Sequence, residues 1–544
     1  MIKYVSMAEM VAIEKQADAS GLTYAIMMEN AGRGLAEAVH SAYSQTKERG
    51  VLGLIGSGNN GGDTLVALRL LAELGWKTSV YIVRPRPKDD ALVERFLKAG
   101  GDVSLAEEDS GFQNMAELLG SHAVVLDGVL GTGVRLPLKK EIAEALDIAR
   151  SRLAELPDIH VVAVDCPSGV DCDSGDVAPE CIPAELTVSM AAAKRGLLKF
   201  PAYNFLGELR FVGIGLGEGK PYPKAWDTIK RFIVDREWVR SVMPPRPLDA
   251  HKGTFGTLLV VAGSLNYTGA ALLAGQAAYR SGTGLVTLAV PEPLHLALSG
   301  QFPEATWLLL PDEDGVIAEH AAEVVRSNLE RVTAMLVGPG FGLQETTRKF
   351  VARLLAASSK PVRVSVGFAP VMARTTQSEV AGLPPLVFDA DGLKLLARLP
   401  DWPGQLPSPA VLTPHPGEMS VLTGLSVQEI QANRVEIAEK FAQTWGHVLV
   451  LKGAFTVVAS PDGQTAVIPV ASPALARAGT GDVLAGLIAG LRAQGVEAFP
   501  AAAAGAWIHA HAGLKAARTL GSTASVLAGD LLREVTHVME EVGE

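Results

Sequence analysis

Ala478-Gly479-Thr480-Gly481-Asp482, which continues as AGTGDVLAGLIAGL to Leu491, places small residues at the mouth of an apolar helix. Residues without bulky side chains let backbone N–H groups come close to an anion, and the positive end of the helix that follows favours it. Asp482 cannot serve that anion as a ligand, because it would repel it. A carboxylate beside an anion cradle is useful as a base that takes the proton from a hydroxyl attacking phosphorus. The alternative is a glycine-rich helix start chosen only for close packing, and the rest of the chain must decide between the two.

Elsewhere in the chain short apolar strands alternate with amphipathic helical stretches, the pattern of a parallel α/β fold. One series starts near Leu258 (LLVVAG) and runs through AMLVGPG, PLVFDAD and HVLVLKG. An earlier series reads VLGLIG (Val51 to Gly56), TSVYIV (Thr78 to Val83), AVVLDGVL (Ala123 to Leu130) and HVVAVDC (His160 to Cys166), with helices such as TLVALRLLAEL from Thr64 between them. Ser6-Met7-Ala8-Glu9 has the form of a capping box opening the first helix. Between the two series lie KPYPKAWDTIKRF and MPPRPLDAHKG, proline-rich and charged, which suit a linker. The expected organisation is a first domain over 1–225, a linker over 226–245 and a second domain over 246–544. The stretch from Arg363 to Pro385 is irregular and reads as an insertion.

A chain of 544 residues is too long for one core, in keeping with two domains. Its 48% hydrophobic content and mean hydropathy of +0.23 describe a well-packed globular protein. A net charge of −11 argues against nucleic acid or an anionic membrane as partner, so any anionic ligand must be captured locally by glycine loops and helix N-termini. Cys166, Cys172 and Cys181 form an odd set without metal-type partners, which fits a reducing compartment. MIKYVSMAEM lacks an apolar signal core and no apolar run is long enough to span a bilayer. The expectation is a soluble, cytoplasmic protein.

In the first domain GSGNNGGDTLVALR (Gly56 to Arg69) follows a strand and opens a helix. That is the geometry of a dinucleotide-type phosphate loop without its GxGxxG spacing. Asn59 and Asn60 add amides able to ligate a cation or contact a ribose, and Asp63 is a carboxylate that a structural turn seldom needs. Asp127 stands before Gly131-Thr132-Gly133, and Asp165 before Pro167-Ser168-Gly169. Ligands of parallel sheets bind at the carboxyl ends of the strands, so three acid-plus-glycine turns converge on one crevice.

The ordered set MMENAGRG (Met27 to Gly34), GSGNNGGD, LDGVLGTGVRLP (Leu126 to Pro137) and VDCPSGVDCDSG (Val164 to Gly175) resembles the NAD(P)H-hydrate epimerase domain, over nearly all of residues 1–220. The resemblance implies a Rossmann-like three-layer sandwich that epimerises the damaged cofactor at nicotinamide C6, with a bound K⁺. It also implies that Asn59, Asn60, Gly61, Gly62 and Asp63, the turn Gly131, Thr132, Gly133, Val134, Arg135, Leu136 and Pro137, and Asp165 contact the hydrate. Asn60, Asp127 and Ser168 would help hold K⁺, and all are oxygen donors of the kind a hard cation prefers. Asp165 is suited to shuttle the proton during ring opening and re-addition of water. Thr64 stands where a glycine is usual, Cys166 where an aliphatic residue is, and Thr23 where a proline is common. None of these removes a functional group.

In the second domain HKGTFGTLLVVAGSLNYTGAALLAGQAAYRSGTGLV (His251 to Val286) reads as a strand with two glycine turns packed under a small-residue helix. With VGPGFG (Val337 to Gly342), VFDADGL (Val387 to Leu393), VLTPHPGEM (Val411 to Met419), VLVLKGAFTVV (Val448 to Val458) and AGTGD, the series resembles the ADP- or ATP-dependent NAD(P)H-hydrate dehydratase of the ribokinase-like superfamily, over roughly residues 245–540. Carried over by motif, Ala270, Gly340 and His415 belong to the bound cofactor hydrate, and Lys452, Gly453, Ala454, Phe455 and Thr456 with Gly481 to the nucleotide. Asp482 would be the base, with Mg²⁺ beside the phosphates. Glu418 reads equally as a carboxylate on the Mg²⁺ side or as an ordinary helix N-terminal Glu, while His509 and His511 read as packing or surface residues. Ala478 replaces a usual glycine and keeps its small volume.

Together the halves resemble the bacterial bifunctional NAD(P)H-hydrate repair enzymes. That implies epimerisation of hydrated NADH and NADPH and dehydration of the S form with ADP, giving AMP and phosphate. The implied partners are these small molecules and further copies of the chain, a homo-oligomer for which a tetramer is one arrangement. The rival reading is a ribokinase-like kinase of a vitamin alcohol with a non-catalytic N-terminal binding domain.

Overall fold

Five-residue apolar strands whose side chains alternate between two cores organise the first half of the chain. Val51, Ile55, Val80, Val124, Leu126, Val162 and Val164 enter one core, whereas Leu52, Leu54, Tyr81, Val125 and Val161 enter the other. The computed structural model describes residues 1–217, 224–356 and 382–543. The chain divides into a unit over Ile2–Ile233 and a unit over Val234–Glu544.

The first unit holds a seven-stranded parallel sheet in the order Asp102–Leu105, Thr78–Ile82, Val51–Ile55, Val124–Gly128, His160–Val164, Leu186–Met190 and Glu208–Val212. Helices cover both faces, giving three layers. From Val51–Ile55 the chain winds to one edge and returns on the opposite side at Val124–Gly128, with Leu54 beside Asp127. The loops leaving these two strands diverge and open a crevice at their carboxyl ends. Ile2–Val5 pairs antiparallel with Arg231–Ile233 and parallel with Ala193–Lys194. Ser6 and Glu9 form the expected capping box on the helix Met7–Ala19.

Two local expectations change. The helix read from Thr64 begins at Asn59, so the GSGNNGGD loop supplies its own first turn. The Thr64 hydroxyl donates to Asn60 O (2.7 Å), and a Cβ on Gly128 would meet that hydroxyl at 2.1 Å, so the threonine fills the space beside a residue that has none. The stretch read as a linker carries the helix Lys224–Thr228, the strand Arg231–Ile233 and the helix Arg236–Val242, the last capped by Asp235 through Trp238 N (2.7 Å). Of the expected insertion, residues 363–381 lie outside the described residues, and Gly382–Pro385 lead into the strand Leu386–Phe388.

The second unit repeats the winding. Its strands lie in the order Thr306–Leu310, Leu285–Pro291, Thr257–Val261, Ala334–Val337, Leu386–Phe388, Val411–Leu412, Val448–Leu451, Val457–Ala459 and Thr465–Val467, and only the last two pairings are antiparallel. The order reverses between Thr257–Val261 and Ala334–Val337, where Gly263 N donates to Pro339 O (2.8 Å). The helix Thr480–Ala493 is apolar almost all round because it is buried between the helices Gly269–Arg280 and Ala498–Leu520. Among the described residues no helix is long and apolar enough to cross a membrane.

Close helix approach is what Gly486 provides, since a Cβ there would lie 2.2 Å from Ala274 O. Gly486→Val should therefore destabilise this unit by about 1–3 kcal/mol or more through overpacking. At roughly 2–4 °C per kcal/mol, the midpoint of its thermal transition should fall measurably in calorimetry.

Candidate functional site

In the first unit the crevice is tied together by Asn60, Asp127 and Ser168. Asp127 ends its strand fully buried, and both carboxylate oxygens accept from Ser168, from N at 2.7 Å and from Oγ at 2.5 Å. Ser168 Oγ also accepts from Leu130 N (2.8 Å). Asn60 donates Nδ2 to Val164 O (2.6 Å) and Leu130 O (3.2 Å), and its Oδ1 lies 2.3 Å from where a Cβ on Gly131 would stand. Burial raises the Asp127 carboxyl above its usual range, offset by the Ser168 and Val129 hydrogen bonds, and none of these groups is a cation. A buried carboxylate and an amide oxygen facing a residue without a side chain make a donor set that suits a hard monovalent cation.

Asp165 occupies the left-handed region (φ 65°), a conformation rare for a non-glycine residue. Its Oδ1 accepts from Met190 N (2.8 Å), Ser189 Oγ (3.2 Å) and the buried ammonium of Lys194. Lys194 escaped the sequence reading. The available signal was a lone lysine closing the apolar segment SMAAAK. Asp63 and Glu14 lie in the field of this ion pair. Of the other expected residues, Asn59, Gly133, Arg135 and Pro137 are exposed, Gly131, Thr132, Val134 and Leu136 half-buried, and Gly61 and Gly62 buried in the helix start.

In the second unit Lys452 is the hub. Its Nζ donates to Asp389 Oδ1 (2.7 Å), which also accepts from Thr413 Oγ1 (2.7 Å), and it lies 3.6 Å from Glu418 Oε2. Burial alone would lower the lysine, but Asp389 and Glu418 outweigh it and hold the ammonium above its usual value. Asp389 Oδ2 is buried with no hydrogen-bond partner among the described residues. Asp389 lies within the VFDADGL motif, but its place beside Lys452, 63 positions away, appears only when the carboxyl ends of the strands Leu386–Phe388 and Val448–Leu451 are brought together on either side of Val411–Leu412. Glu418 caps its helix, accepting from His415 N (2.8 Å), and also faces Lys452.

Two histidines do structural work. His415 Nδ1 accepts from Gly417 N (3.0 Å) and Glu418 N (3.2 Å), so its proton sits on Nε2, 3.3 Å from Glu418 Oε1. Burial lowers its pKa and favours this neutral form, with half of the side chain open. His509 is buried, is pulled down to about 4 by burial, and donates Nε2–H to Thr480 O (2.9 Å), directly under the glycine turn.

Gly479 caps the Thr480–Ala493 helix at φ 87°, and a Cβ on Gly481 would lie 3.6 Å from Lys452 Nζ. Asp482 follows in the first turn. Burial, then Asp389, push it up to about 7, with Lys452 opposing. Gly340 and Ala270 meet at the switch of strand order, where a Cβ on Gly340 would lie 2.8 Å from Ala270 Cβ. Gly342 N donates to Asp391 Oδ2 (3.0 Å), and Asp391 also acts on Asp482. Beyond Lys452, Gly453 and Ala454 are exposed and Thr456 Oγ1 donates to Gly453 O (2.9 Å), whereas the Phe455 side chain is buried and offers a ligand only its backbone.

These features define a class: a doubly wound dinucleotide-type unit followed by a second doubly wound α/β unit with an acid at a glycine-bounded helix start. Residues 258–537 match the family described as NAD(P)H-hydrate dehydratase, and residues 24–196 the family described as YjeF-related protein N-terminus. The chain is 36% identical to the bifunctional NAD(P)H-hydrate repair enzyme of Moorella thermoacetica over 99% of this chain and 97% of the relative. It is 34% identical to that of Thermofilum pendens over 96% and 93%. A solved ADP/ATP-dependent NAD(P)H-hydrate dehydratase of Bacillus subtilis, co-crystallised with ATP/Mg²⁺, aligns with 32% identity and a TM-score of 0.46 over 57% of this chain and 98% of that one. The chain belongs to the family of bifunctional NAD(P)H-hydrate repair enzymes. The rival kinase with a passive N-terminal domain is not favoured, because the similarity runs through both units.

Asp482 also leaves a mark on stability. Its folded value of about 7 exceeds the ordinary 3.8, so the folded state holds the proton more tightly. The resulting stabilisation is complete below the unfolded value and is lost as pH rises through the folded one. Relative to wild type, Asp482→Asn should gain thermal stability as pH is raised from about 4 to about 8. A pH-independent difference would contradict this titration.

Proposed function

We propose that the chain repairs hydrated NADH and NADPH, the first unit interconverting the R and S forms at C6 and the second dehydrating the S form with ADP. The observation that carries this reading is a carboxyl titrating near neutrality at a helix N-terminus, in the field of a buried lysine. A base for a hydroxyl needs a pKa close to the working pH, and the helix end and Lys452 offer positive potential to a phosphate.

In the second unit Asp482 takes the C6 hydroxyl proton as that oxygen attacks the terminal phosphorus of ADP, and AMP departs. The C6–O bond then breaks with its electron pair leaving on phosphate, the C5 proton is lost, and the C5–C6 double bond of the reduced ring returns. Lys452, the Gly453-Ala454 turn, Thr456 and Gly481 would hold the nucleotide, while Ala270, Gly340 and His415 would face the hydrate. Asp389 Oδ2, a buried and unpartnered carboxylate oxygen, with Glu418 nearby, fits Mg²⁺. The ion would neutralise phosphate charge that this acidic site otherwise repels.

In the first unit Asp165 takes the C6 hydroxyl proton as the ring opens and returns it on closure. Asn60 and Asp127, braced by Ser168, suit K⁺, which would supply the positive charge the buried Asp127 lacks. The glycine turns Asn59–Asp63 and Gly131–Pro137 would bound the hydrate.

The test is to incubate the protein with hydrated NADH, ADP, Mg²⁺ and K⁺ and follow reduced-nicotinamide absorbance. Its return with AMP and phosphate is expected, and a stable phosphorylated product would instead mark a kinase. Asp482→Asn should slow dehydration by about 10²–10⁴-fold, the usual cost of losing a general base, with ADP affinity within a few-fold. Turnover near wild type would remove Asp482 from the chemistry.

A further inference from the structure

Asp63 is a buried acid to which the scheme above gives a place beside the hydrate but no part in proton transfer. It sits in the second turn of the helix Asn59–Glu73, 8% exposed, and its carboxyl accepts no hydrogen bond among the described residues. The cation acting on it is Lys194, whose ammonium is already committed to Asp165, Ser189 Oγ (3.1 Å) and Met190 O (2.8 Å). Glu14, from the helix Met7–Ala19, adds a third carboxyl to the cluster. The other charges nearby are spent elsewhere: Glu29 pairs with Arg69 and Arg95, and Arg86 with Asp90. Three carboxyls therefore share one ammonium.

Their environments differ. Asp165 accepts from the ammonium, a backbone N–H and a hydroxyl. Asp63 has neither donor nor counter-ion, and a buried carboxyl in that position keeps its proton. Burial first, then Asp165 and Glu14, hold it well above the usual carboxylate range. One carboxyl held by a cation and two donors, beside another that has none, is the pattern of a base paired with an acid.

We propose that Asp63 is the general acid of the epimerase reaction, paired with Asp165 as its base and with Lys194 as the residue that positions Asp165. The proposal rests on the epimerase reading of this unit. Ring opening needs a proton removed from the C6 hydroxyl and another delivered to the ring nitrogen. Asp165 takes the first as the C6–N1 bond breaks, C6 becomes an aldehyde carbon, and the freed electron pair on N1 takes the proton of Asp63. Rotation about C5–C6 presents the opposite face of the aldehyde. N1 then re-forms its bond to C6, its proton returns to Asp63, and Asp165 gives its proton back to the oxygen. Both carboxyls end as they began, and no other reactant is needed.

The experiment measures interconversion of the two C6 epimers of hydrated NADH, by chromatography in K⁺ buffer without ADP, for wild type, Asp63→Asn and Asp63→Glu. Asp63→Asn keeps the shape and the neutral charge of the protonated acid, so its melting temperature should match wild type. Its rate should fall by about 10²–10⁴-fold with KM within a few-fold. The alkaline limb of the wild-type rate profile, where Asp63 loses its proton, should vanish in Asp63→Asn and return in Asp63→Glu, which a purely structural role would not produce. Wild-type rate and pH profile in Asp63→Asn would overturn the assignment of Asp63 alone. Wild type no faster than spontaneous interconversion would overturn the epimerase reading and this proposal with it.

Discussion

A buried lysine ammonium held against an aspartate at or just beyond the end of a strand is the interaction on which each site depends. Lys194 binds Asp165 in the first unit and Lys452 binds Asp389 in the second. Removing one partner of such a pair leaves an uncompensated buried charge, so neither site tolerates its loss easily. In both, the carboxyls outnumber the lysine. Glu14 and Asp63 accompany Asp165, and Glu418 and Asp482 accompany Asp389. With burial, that excess pushes Asp482 up to about 7 and holds Asp63 above the usual carboxylate range, while Asp389 keeps one buried oxygen without a partner among the described residues.

Small-residue packing sets where these charges stand. Gly486 lies against Ala274 O and Gly490 against Ser281 Oγ, which presses the Thr480–Ala493 helix onto its neighbour. His509 holds the carbonyl of Thr480 from below. Asp482 is thereby presented in the first turn of a packed helix, which suits the proposed role of a base that must meet one hydroxyl.

Much of this could be read in the sequence, and the remainder failed for identifiable reasons. Strands such as Val51–Ile55 and His160–Val164 announce themselves because buried parallel strands are continuously apolar. Asp127, Asp165 and Asp482 stand beside glycines, a local signal. Lys194, Asp389 and His509 each acquire a role from a contact distant in sequence: Lys194 with Asp165, Asp389 with Lys452, His509 with Thr480. The proline-rich stretch around Lys224–Val242 suggested a linker because composition reports turns but not the short helices and strand between them.

If each unit holds a complete site of its own, the two reactions must separate when one site is disabled. The direct measurement is a time course of a mixture of the two C6 epimers with ADP, Mg²⁺ and K⁺, comparing wild type with Asp165→Asn. The account predicts rapid consumption of both epimers by wild type. For Asp165→Asn it predicts a fast phase of unchanged rate for one epimer, then a remainder limited by spontaneous interconversion. Rapid consumption of both epimers by Asp165→Asn would contradict it.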